Sequence, residues 1–366
     1  MTQRTSLAAF RRSIFTLALS LAFFACSDDK DNGNNEKIEG ESLLLNFTSD
    51  YTTGELRWMH PDSARLSEGA LSFHQDSKVS TADGNIFILS SYPGTLACLS
   101  PQSIGDKSAI KEKRLDTDNP YEATAIGSKG YIALNDADSI QVFNVSTCTP
   151  SEKIGLPTLE ENAPTNASTI KASGDTLLLT LQRLENWAAT KPGLLVRINA
   201  RTKTLIDTIQ LNFHNPKSSV LSKGKLYVSS QKYNDDYSID LEKSGVEVVD
   251  LAKGTSEVLA TGTELGGGAN DIALDEALQI LYVSVYVYYG LAPVRPVNLK
   301  NKAIGFPLED IEDSFAGIVF DYKSKKLFIA DASGLKFYDP SKIYPTIPID
   351  EGENALPPYS LAIVNF

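Results

Sequence analysis

The chain has 366 residues, of which 42% are hydrophobic and 22% are charged, a composition typical of a folded protein. Its formal net charge of -12 disfavours nucleic-acid binding, because a DNA- or RNA-binding protein needs a basic surface. Three cysteines are too few for a disulfide scaffold.

The first 25 residues have the pattern of a secretory signal peptide. A start with three arginines is followed by an apolar segment at 13–25, which is too short to span a membrane. The Ala before Cys26 resembles the lipobox of bacterial lipoproteins, although Phe23 and Phe24 replace the usual Leu and small residue. The resemblance implies a cleaved signal at 1–25 and acylation of Cys26, palmitate included. An ordinary cleaved signal with a chance cysteine is the alternative.

Residues 26–41 form a polar tether between this signal and the rest of the chain. The stretch SDDKDNGNNEKIEGE contains one apolar residue and is predicted to be disordered, because it cannot bury enough surface to offset its ordering entropy. Its acidic start resembles the surface-export signal of Bacteroidetes lipoproteins; a plain solvated spacer is the alternative. We therefore expect a lipid-anchored protein of the outer membrane, either periplasmic or surface-exposed.

From residue 42 onward the chain repeats one unit. Internal units of about 40 to 48 residues, the spacing of propeller blades, lie at 75–115, 119–157, 166–211, 215–262, 267–310 and 314–350. The second strand is the clearest element of each, and it reads IFILSS, YIALND, LLLTLQ, LYVSSQ, LYVSVY and LFIADA. Apolar, β-branched and aromatic residues dominate these strands, as burial between neighbouring blades requires.

The two ends of this region supply a seventh unit. The last residues, PYSLAIVNF at 358–366, match the inner strand PYEATAI at 120–126, and SLLLNFTSD and GELRWMH near residue 42 provide further strands of the same blade. The predicted fold is therefore all-β. It is a seven-bladed β-propeller over 42–366, whose C-terminal strand closes the ring on the N-terminal blade and removes open sheet edges.

The sequence LYVS followed by G-x-x-V-x-D, at 226–229 and 245–250, resembles the YVTN-type seven-bladed propellers and, more loosely, the NHL-repeat propellers. WD repeats are disfavoured because no Trp-Asp dipeptide occurs, and kelch repeats because Gly-Gly occurs only at 266–268. The resemblance covers 42–366 and implies a secreted or surface binding platform. It implies no activity, since propellers host many functions.

Long loops on one face are the main functional signal. In a blade, the loops between the second and third strands lie on the face where the inner strand begins, and they are long at 183–193, 231–245 and 288–296. Loops of this kind are typically functional, although tolerated insertions are the alternative. Their aromatic residues suit a glycan, peptide or protein partner. These predicted ligand-binding residues are Trp187, Tyr233, Tyr237, Tyr288 and Tyr289.

The starts of the inner strands surround the mouth of the central channel on the same face. The polar residues expected there are Asp76, Tyr121, Glu122, Asn166, Asn215, Asn270, Asp271 and Tyr359. Their carboxylates and amides could hold Ca²⁺. The set distantly resembles the gluconolactonase-type propellers, which hold a catalytic metal with Glu, Asp and Asn, but the histidine of that family is not evident here. Hydrogen bonding among these residues and water is the alternative.

Two further residue types are placed by their context. His60, His74 and His214 have no metal-binding spacing and are expected at the surface or in turns. Cys98 and Cys148 fall on neighbouring units at non-equivalent positions, so a disulfide is permitted in an exported protein but is not predicted from the register.

Several function hypotheses stay open. The first is a non-enzymatic, monomeric envelope protein that binds a glycan, peptide or protein through the aromatic loops. The second is a metal-dependent, lactonase-like hydrolase at the channel mouth, acting through Glu122, Asn166, Asn215, Asn270 and Asp271. A purely structural envelope component is the third.

Overall fold

The computed structural model describes residues 41–115, 119–156, 165–342, 345–352 and 355–366. They belong to one compact unit, Glu39–Phe366. The predicted signal peptide, Cys26 and the tether up to residue 40 lie outside the described residues. In the described ranges, no helix has the length and apolar character needed to cross a membrane.

Strands account for nearly all regular structure in the described residues. One helical turn, α1, spans Gly262–Leu265, and two 3-10 turns span Pro101–Ser103 and Lys107–Ala109. In chain order the strands are β1 (Ser42–Ser49), β2 (Gly54–Met59), β3 (Leu71–Phe73), β4 (Ser77–Ala82), β5 (Asn85–Ser90), β6 (Thr95–Leu99), β7 (Lys111–Arg114), β8 (Pro120–Ile126), β9 (Lys129–Leu134), β10 (Ser139–Asn144), β11 (Thr149–Gly155), β12 (Ala167–Ser173), β13 (Thr176–Leu181), β14 (Leu184–Glu185), β15 (Ala188–Ala189), β16 (Pro192–Asn199), β17 (Thr204–His214), β18 (Pro216–Ser222), β19 (Lys225–Ser230), β20 (Gly245–Asp250), β21 (Thr255–Thr261), β22 (Gly268–Asp275), β23 (Ile280–Tyr286), β24 (Val294–Asn298), β25 (Ile318–Asp321), β26 (Lys326–Asp331), β27 (Gly334–Tyr338), β28 (Thr346–Pro348) and β29 (Pro358–Asn365).

These strands form seven antiparallel blades. Blade 1 is β4–β7, blade 2 is β8–β11, blade 3 is β12, β13, β16 and β17, blade 4 is β18–β21, blade 5 is β22–β24, blade 6 is β25–β28 and blade 7 is β29 with β1–β3. The innermost strands contact one another in the order β29, β4, β8, β12, β18, β22, β25 and back to β29. The predicted seven-bladed propeller is therefore confirmed.

Blade 7 is assembled from both ends of the propeller. The C-terminal strand β29 is innermost and pairs antiparallel with β1, with Ser42 opposite Asn365 and Leu45 opposite Ala362. Strand β1 consequently has a partner on each side, so the N-terminal strand is not left as an open sheet edge. The predicted closure of the ring is confirmed.

The hydrophobic core lies between the blades. Leu179 and Val196 of blade 3, for example, belong to one buried cluster with Tyr131 and Ile140 of blade 2. Burial on both faces explains why the second strands read as nearly continuous apolar runs rather than as alternating ones. The repeated apolar pattern of the second strands is therefore a direct consequence of their packing between two neighbouring blades.

The structure settles the cysteine pairing that the sequence left open: Cys98 and Cys148 form a disulfide, with their Cα atoms 5.7 Å apart. Cys98 lies on β6, but Cys148 lies in the turn between β10 and β11 and has a φ of 58°. Strand register could not decide this pairing, since a turn residue in the left-handed region does not follow the register of the blade. The bridge joins blades 1 and 2.

Candidate functional site

The order of strands in each blade defines two faces. The turns between the first and second strands are short, as at 83–84 and 223–224, and lie on the bottom face. The loops between the second and third strands lie on the opposite, top face, where the inner strands begin. In blades 3, 4 and 5 these loops span 182–191, 231–244 and 287–293.

Most exposed Tyr and Trp side chains project from the top face. Trp187, Tyr237 and Tyr289 are 80%, 84% and 92% exposed, and Tyr288 is also exposed. The equivalent loops of blades 7 and 1 add Tyr51 and Tyr92, which sequence reasoning missed because those loops are short. We call these residues the aromatic rim: Tyr51, Tyr92, Trp187, Tyr237, Tyr288 and Tyr289.

Three rim residues occupy a backbone conformation that ordinarily favours glycine. Asn186 and Trp187, with φ values of 51° and 67°, form the tip of the β14–β15 hairpin. Two positive φ values are typical of a type I′ turn, which favours Gly at its second position. Tyr51 and Tyr237 each have a φ of 64°. Because the left-handed region costs an L-residue roughly 1–2 kcal/mol, these exposed rings are held at the expense of stability.

Ordered contacts hold the loops of blades 3 and 4. In loop 231–244, Asn234 N–H donates to the Ser238 carbonyl at 2.8 Å, and the Lys232 ammonium lies 3.2 Å from the Asp240 carboxylate. His214, predicted to be a surface or turn residue, is instead buried at the end of β17, with Nδ1 3.1 Å from the Ala189 carbonyl oxygen. Burial lowers its pKa, so the neutral imidazole supports the hairpin that carries the rim tryptophan.

Register shifts mark the starts of several inner strands. In β8, β18 and β29 the extra residues are Tyr121, Lys217 and Tyr359, which lie opposite no residue of the neighbouring strand. Such bulges re-aim a side chain. The equivalent residues of β12 and β22, Ser168 and Asn270, are buried instead.

Charged and aromatic groups converge at the channel mouth. The Lys78 ammonium lies 3.8 Å from the centre of the Tyr121 ring, and the Tyr359 hydroxyl donates to the Asp76 carboxylate at 3.0 Å. The ammonium groups of Lys217 and Lys78 lower the pKa of Tyr121 to about 8. We call these five residues, Asp76, Lys78, Tyr121, Lys217 and Tyr359, the channel-mouth cluster.

Tyr233, predicted with the rim, is less exposed than the rim residues. It is half-buried, its ring centroid is 6.0 Å from that of Tyr286, and Gln231 donates to its hydroxyl. Burial raises the pKa of Tyr233 to about 12. Tyr286 in turn lies 5.3 Å from Phe315, so an aromatic wall continues from the mouth toward blade 6.

The residues predicted to hold a metal are engaged in structural hydrogen bonds. Glu122 accepts from the Ile170 N–H and pairs with Lys171, and the half-buried Asp271 carboxylate accepts from two backbone N–H groups. The amides of Asn166, Asn215 and Asn270 donate to the carbonyls of Asn135, Gln231 and Phe315. Residues 41–115, 119–156, 165–342, 345–352 and 355–366 contain no cluster of three His, Cys, Asp or Glu that could hold a metal. The arrangement therefore fits a metal poorly, and the Ca²⁺ site stays a prediction.

Comparison with known proteins identifies the architecture. No protein-family model and no curated sequence matches the chain. Hydrazine synthase of Kuenenia stuttgartiensis is similar in structure, with 11% identity, a TM-score of 0.64 and coverage of 81% of this chain and 95% of that one. Apo AztD of Citrobacter koseri has 12% identity, a TM-score of 0.56 and coverage of 89% and 98%. A Bacteroides fragilis protein proposed to be a 6-phosphogluconolactonase has 15% identity, a TM-score of 0.58 and coverage of 90% and 99%. At such identities the likeness shows the fold alone, a β-propeller.

Proposed function

We propose that this protein is a carbohydrate-binding protein of the cell envelope that captures its ligand on the top face of the propeller. The observation that carries the proposal is the aromatic rim. Six exposed Tyr and Trp side chains lie on this face. In the described residues, the bottom-face turns carry one exposed side chain of these types, Tyr322, which is 37% exposed. Three rim aromatics also keep a left-handed backbone that stability alone disfavours.

A carbohydrate suits the chemistry of this face. Sugars present apolar C–H faces beside hydroxyl groups, and the top face offers aromatic rings around a centre of polar side chains. Tyr51 and Tyr359, with ring centroids 6.3 Å apart, connect the rim to the channel-mouth cluster. Binding sites commonly combine aromatic walls with a few polar groups that fix orientation. A protein partner is the competing occupant, since exposed Trp and Tyr also anchor protein interfaces.

The test is a glycan array followed by calorimetry on the purified protein, with Trp187→Ala and Tyr237→Ala variants. We expect retention of at least one glycan class and about tenfold weaker binding in each variant. Tyr322→Ala, which removes an aromatic ring from the bottom face, is the matched control. Unchanged affinity in both rim variants would contradict the proposal, and capture of a protein but no glycan would change the ligand class.

The proposed localisation to the cell envelope rests on the sequence of residues 1–41. Acylation of Cys26 would hold the protein at the outer membrane through its lipid alone, and the net charge of -12 would give no added attraction to anionic lipid. Palmitate labelling of bacteria that express the protein should mark the native chain and not Cys26→Ser. Equal labelling of the native chain and of Cys26→Ser would contradict acylation at Cys26 and the localisation that depends on it.

A lactonase-like hydrolase is the second candidate. The observation that favours it is the placement of the Tyr121 phenol at the channel mouth, with the Lys78 ammonium 3.8 Å from its ring centre. The ammonium groups of Lys217 and Lys78 lower the pKa of this phenol to about 8, which suits proton transfer near neutral pH. The structural likeness to the Bacteroides fragilis protein shows the fold and carries no activity. Hydrolysis of gluconolactone should be lost in Tyr121→Phe and, for a metal-dependent mechanism, in EDTA and in Asp271→Ala. If the native protein hydrolyses gluconolactone no faster than the uncatalysed background, this candidate is eliminated.

A further inference from the structure

Two cations face one phenol across the channel mouth. Lys78 lies on β4 of blade 1 and Tyr121 on β8 of blade 2, whereas Lys217 extends from the bulge of β18 in blade 4. All three side chains are half-buried. The Lys78 ammonium lies 3.8 Å from the centre of the Tyr121 ring, and Lys217 occupies in its inner strand the same bulge position that Tyr121 occupies in β8. The lowered pKa of Tyr121, caused by Lys217 and Lys78, agrees with this placement.

The neighbouring charges compensate this pair of lysines only in part. Lys171, the third lysine of the mouth, is neutralised by Glu122. In the described part of the chain, neither Lys78 nor Lys217 has a carboxylate within ion-pair distance. Asp76, the acidic member of the cluster, accepts the Tyr359 hydroxyl and supplies one negative charge, so the two lysines leave one positive charge in excess. Half-buried cations are costly unless an anion pairs with them, so the mouth is suited to receive one.

We propose that Lys78, Lys217 and the Tyr121 hydroxyl bind the carboxylate or sulfate group of an acidic saccharide. The inference rests on the proposed carbohydrate-binding function and names the ligand class. The two ammonium groups supply charge-assisted hydrogen bonds, and the protonated phenol supplies a third donor. The ring of Tyr359, whose hydroxyl donates to Asp76 of the same cluster, lies beside this site and would flank the sugar that carries the anion.

The central experiment compares trigalacturonate with its methyl ester on the native protein by calorimetry. The two ligands share one saccharide skeleton and differ in charge. We expect the acid to bind at least tenfold more tightly than the ester, and this advantage to shrink as salt is raised. A sulfated oligosaccharide, tested beside its desulfated form, distinguishes a sulfate preference from a carboxylate preference. Equal binding of the charged and neutral forms in both pairs would overturn the inference while leaving the carbohydrate function intact.

Variants locate the site. Lys78→Met and Lys217→Met should each remove most of the preference for the acid, and Lys217→Arg should retain it. Lys253→Met, in the bottom-face turn between β20 and β21, makes the same charge change away from the mouth and should bind as the native protein does. Thermal melts of every variant report its folding, and the acid-to-ester comparison on the native chain does not depend on any variant.

Inorganic sulfate tests the anion site independently of the carbohydrate-binding function. If sulfate raises the melting temperature of the native protein but not of Lys217→Met, while no saccharide binds, the anion site is supported and the carbohydrate function fails. If neither sulfate nor any saccharide affects the native protein, both are overturned.

Discussion

The hydroxyl of Tyr359 donates a hydrogen bond to the Asp76 carboxylate at 3.0 Å, and this bond joins the last strand of the propeller to the start of blade 1. Strand β29 also lies against β4 along the channel. The ring is therefore closed at the same place where the channel-mouth cluster is assembled.

Tyr359→Phe should lower the free energy of unfolding by about 1–3 kcal/mol, because a hydrogen bond to a charged acceptor is lost while the ring packing is kept. Urea denaturation measures the change. Tyr289→Phe, at a side chain that is 92% exposed, should leave the midpoint unchanged. Identical midpoints for native protein and Tyr359→Phe would show that the bond contributes nothing to closure.

Trp187→Gly should weaken glycan binding about tenfold without lowering the free energy of unfolding. Glycine relieves the left-handed backbone at φ 67°, and the removed indole was 80% exposed, so little packing is lost. Calorimetry measures the affinity for the glycan, and urea denaturation measures the free energy of unfolding. Asn186→Gly relieves the same turn without removing a ring, and its affinity should equal that of the native protein. A loss of more than about 1 kcal/mol in Trp187→Gly would instead indicate a structural role for the indole.

Removal of the disulfide by Cys98→Ser with Cys148→Ser should cost about 2–4 kcal/mol of stability. The bridge spans 50 residues of chain, and the closure of such a loop restricts the unfolded state. A reductant should lower the melting temperature of the native protein to that of the double variant and should leave the variant itself unaffected. No response of the native protein to a reductant would contradict this bridge.

Affinity for an acidic saccharide should fall as the pH rises above about 8. Near that pH the Tyr121 phenol loses its proton, and the phenolate then repels the ligand and competes for the lysines. The other titratable groups facing it are Lys78, Lys217, Asp76, Tyr233 and Tyr359. The pKa of Tyr121 in the folded protein lies below the usual value near 10, so ionisation of this phenol stabilises the folded state. This contribution to the free energy of unfolding is fully present above pH 10 and is lost as the pH falls through 8. At neutral pH the phenol therefore contributes none of it.

Calorimetry between pH 6.5 and 9.5 tests this dependence. In Tyr121→Phe the affinity should be lower at pH 7, because a donor is missing, and should stay nearly constant up to pH 9. An equal fall with pH in both proteins would assign the effect to another group.

The local sequence is sufficient to predict the architecture. Strand residues alternate with turns rich in Gly, Asp and Ser, and the same unit recurs, so each blade is recognisable from its own residues. Ring closure follows from the similarity of the stretches at 120–126 and 358–366. The long loops of blades 3 to 5 are visible as insertions in the repeat, and for this reason Trp187 and Tyr237 could be named.

Only the tertiary structure decides which side chains meet. The φ of 58° at Cys148 turns its thiol toward Cys98, and no strand register contains that information. His214 is buried because the hairpin of blade 3 covers it. Lys78 and Lys217 were absent from the predicted channel mouth because, in sequence, they are ordinary polar residues on separate strands. Curvature of the ring brings Lys78 over the Tyr121 ring, and a bulge re-aims Lys217 at the start of its own inner strand. Residues far apart along the chain become neighbours only when the blades close around a common axis.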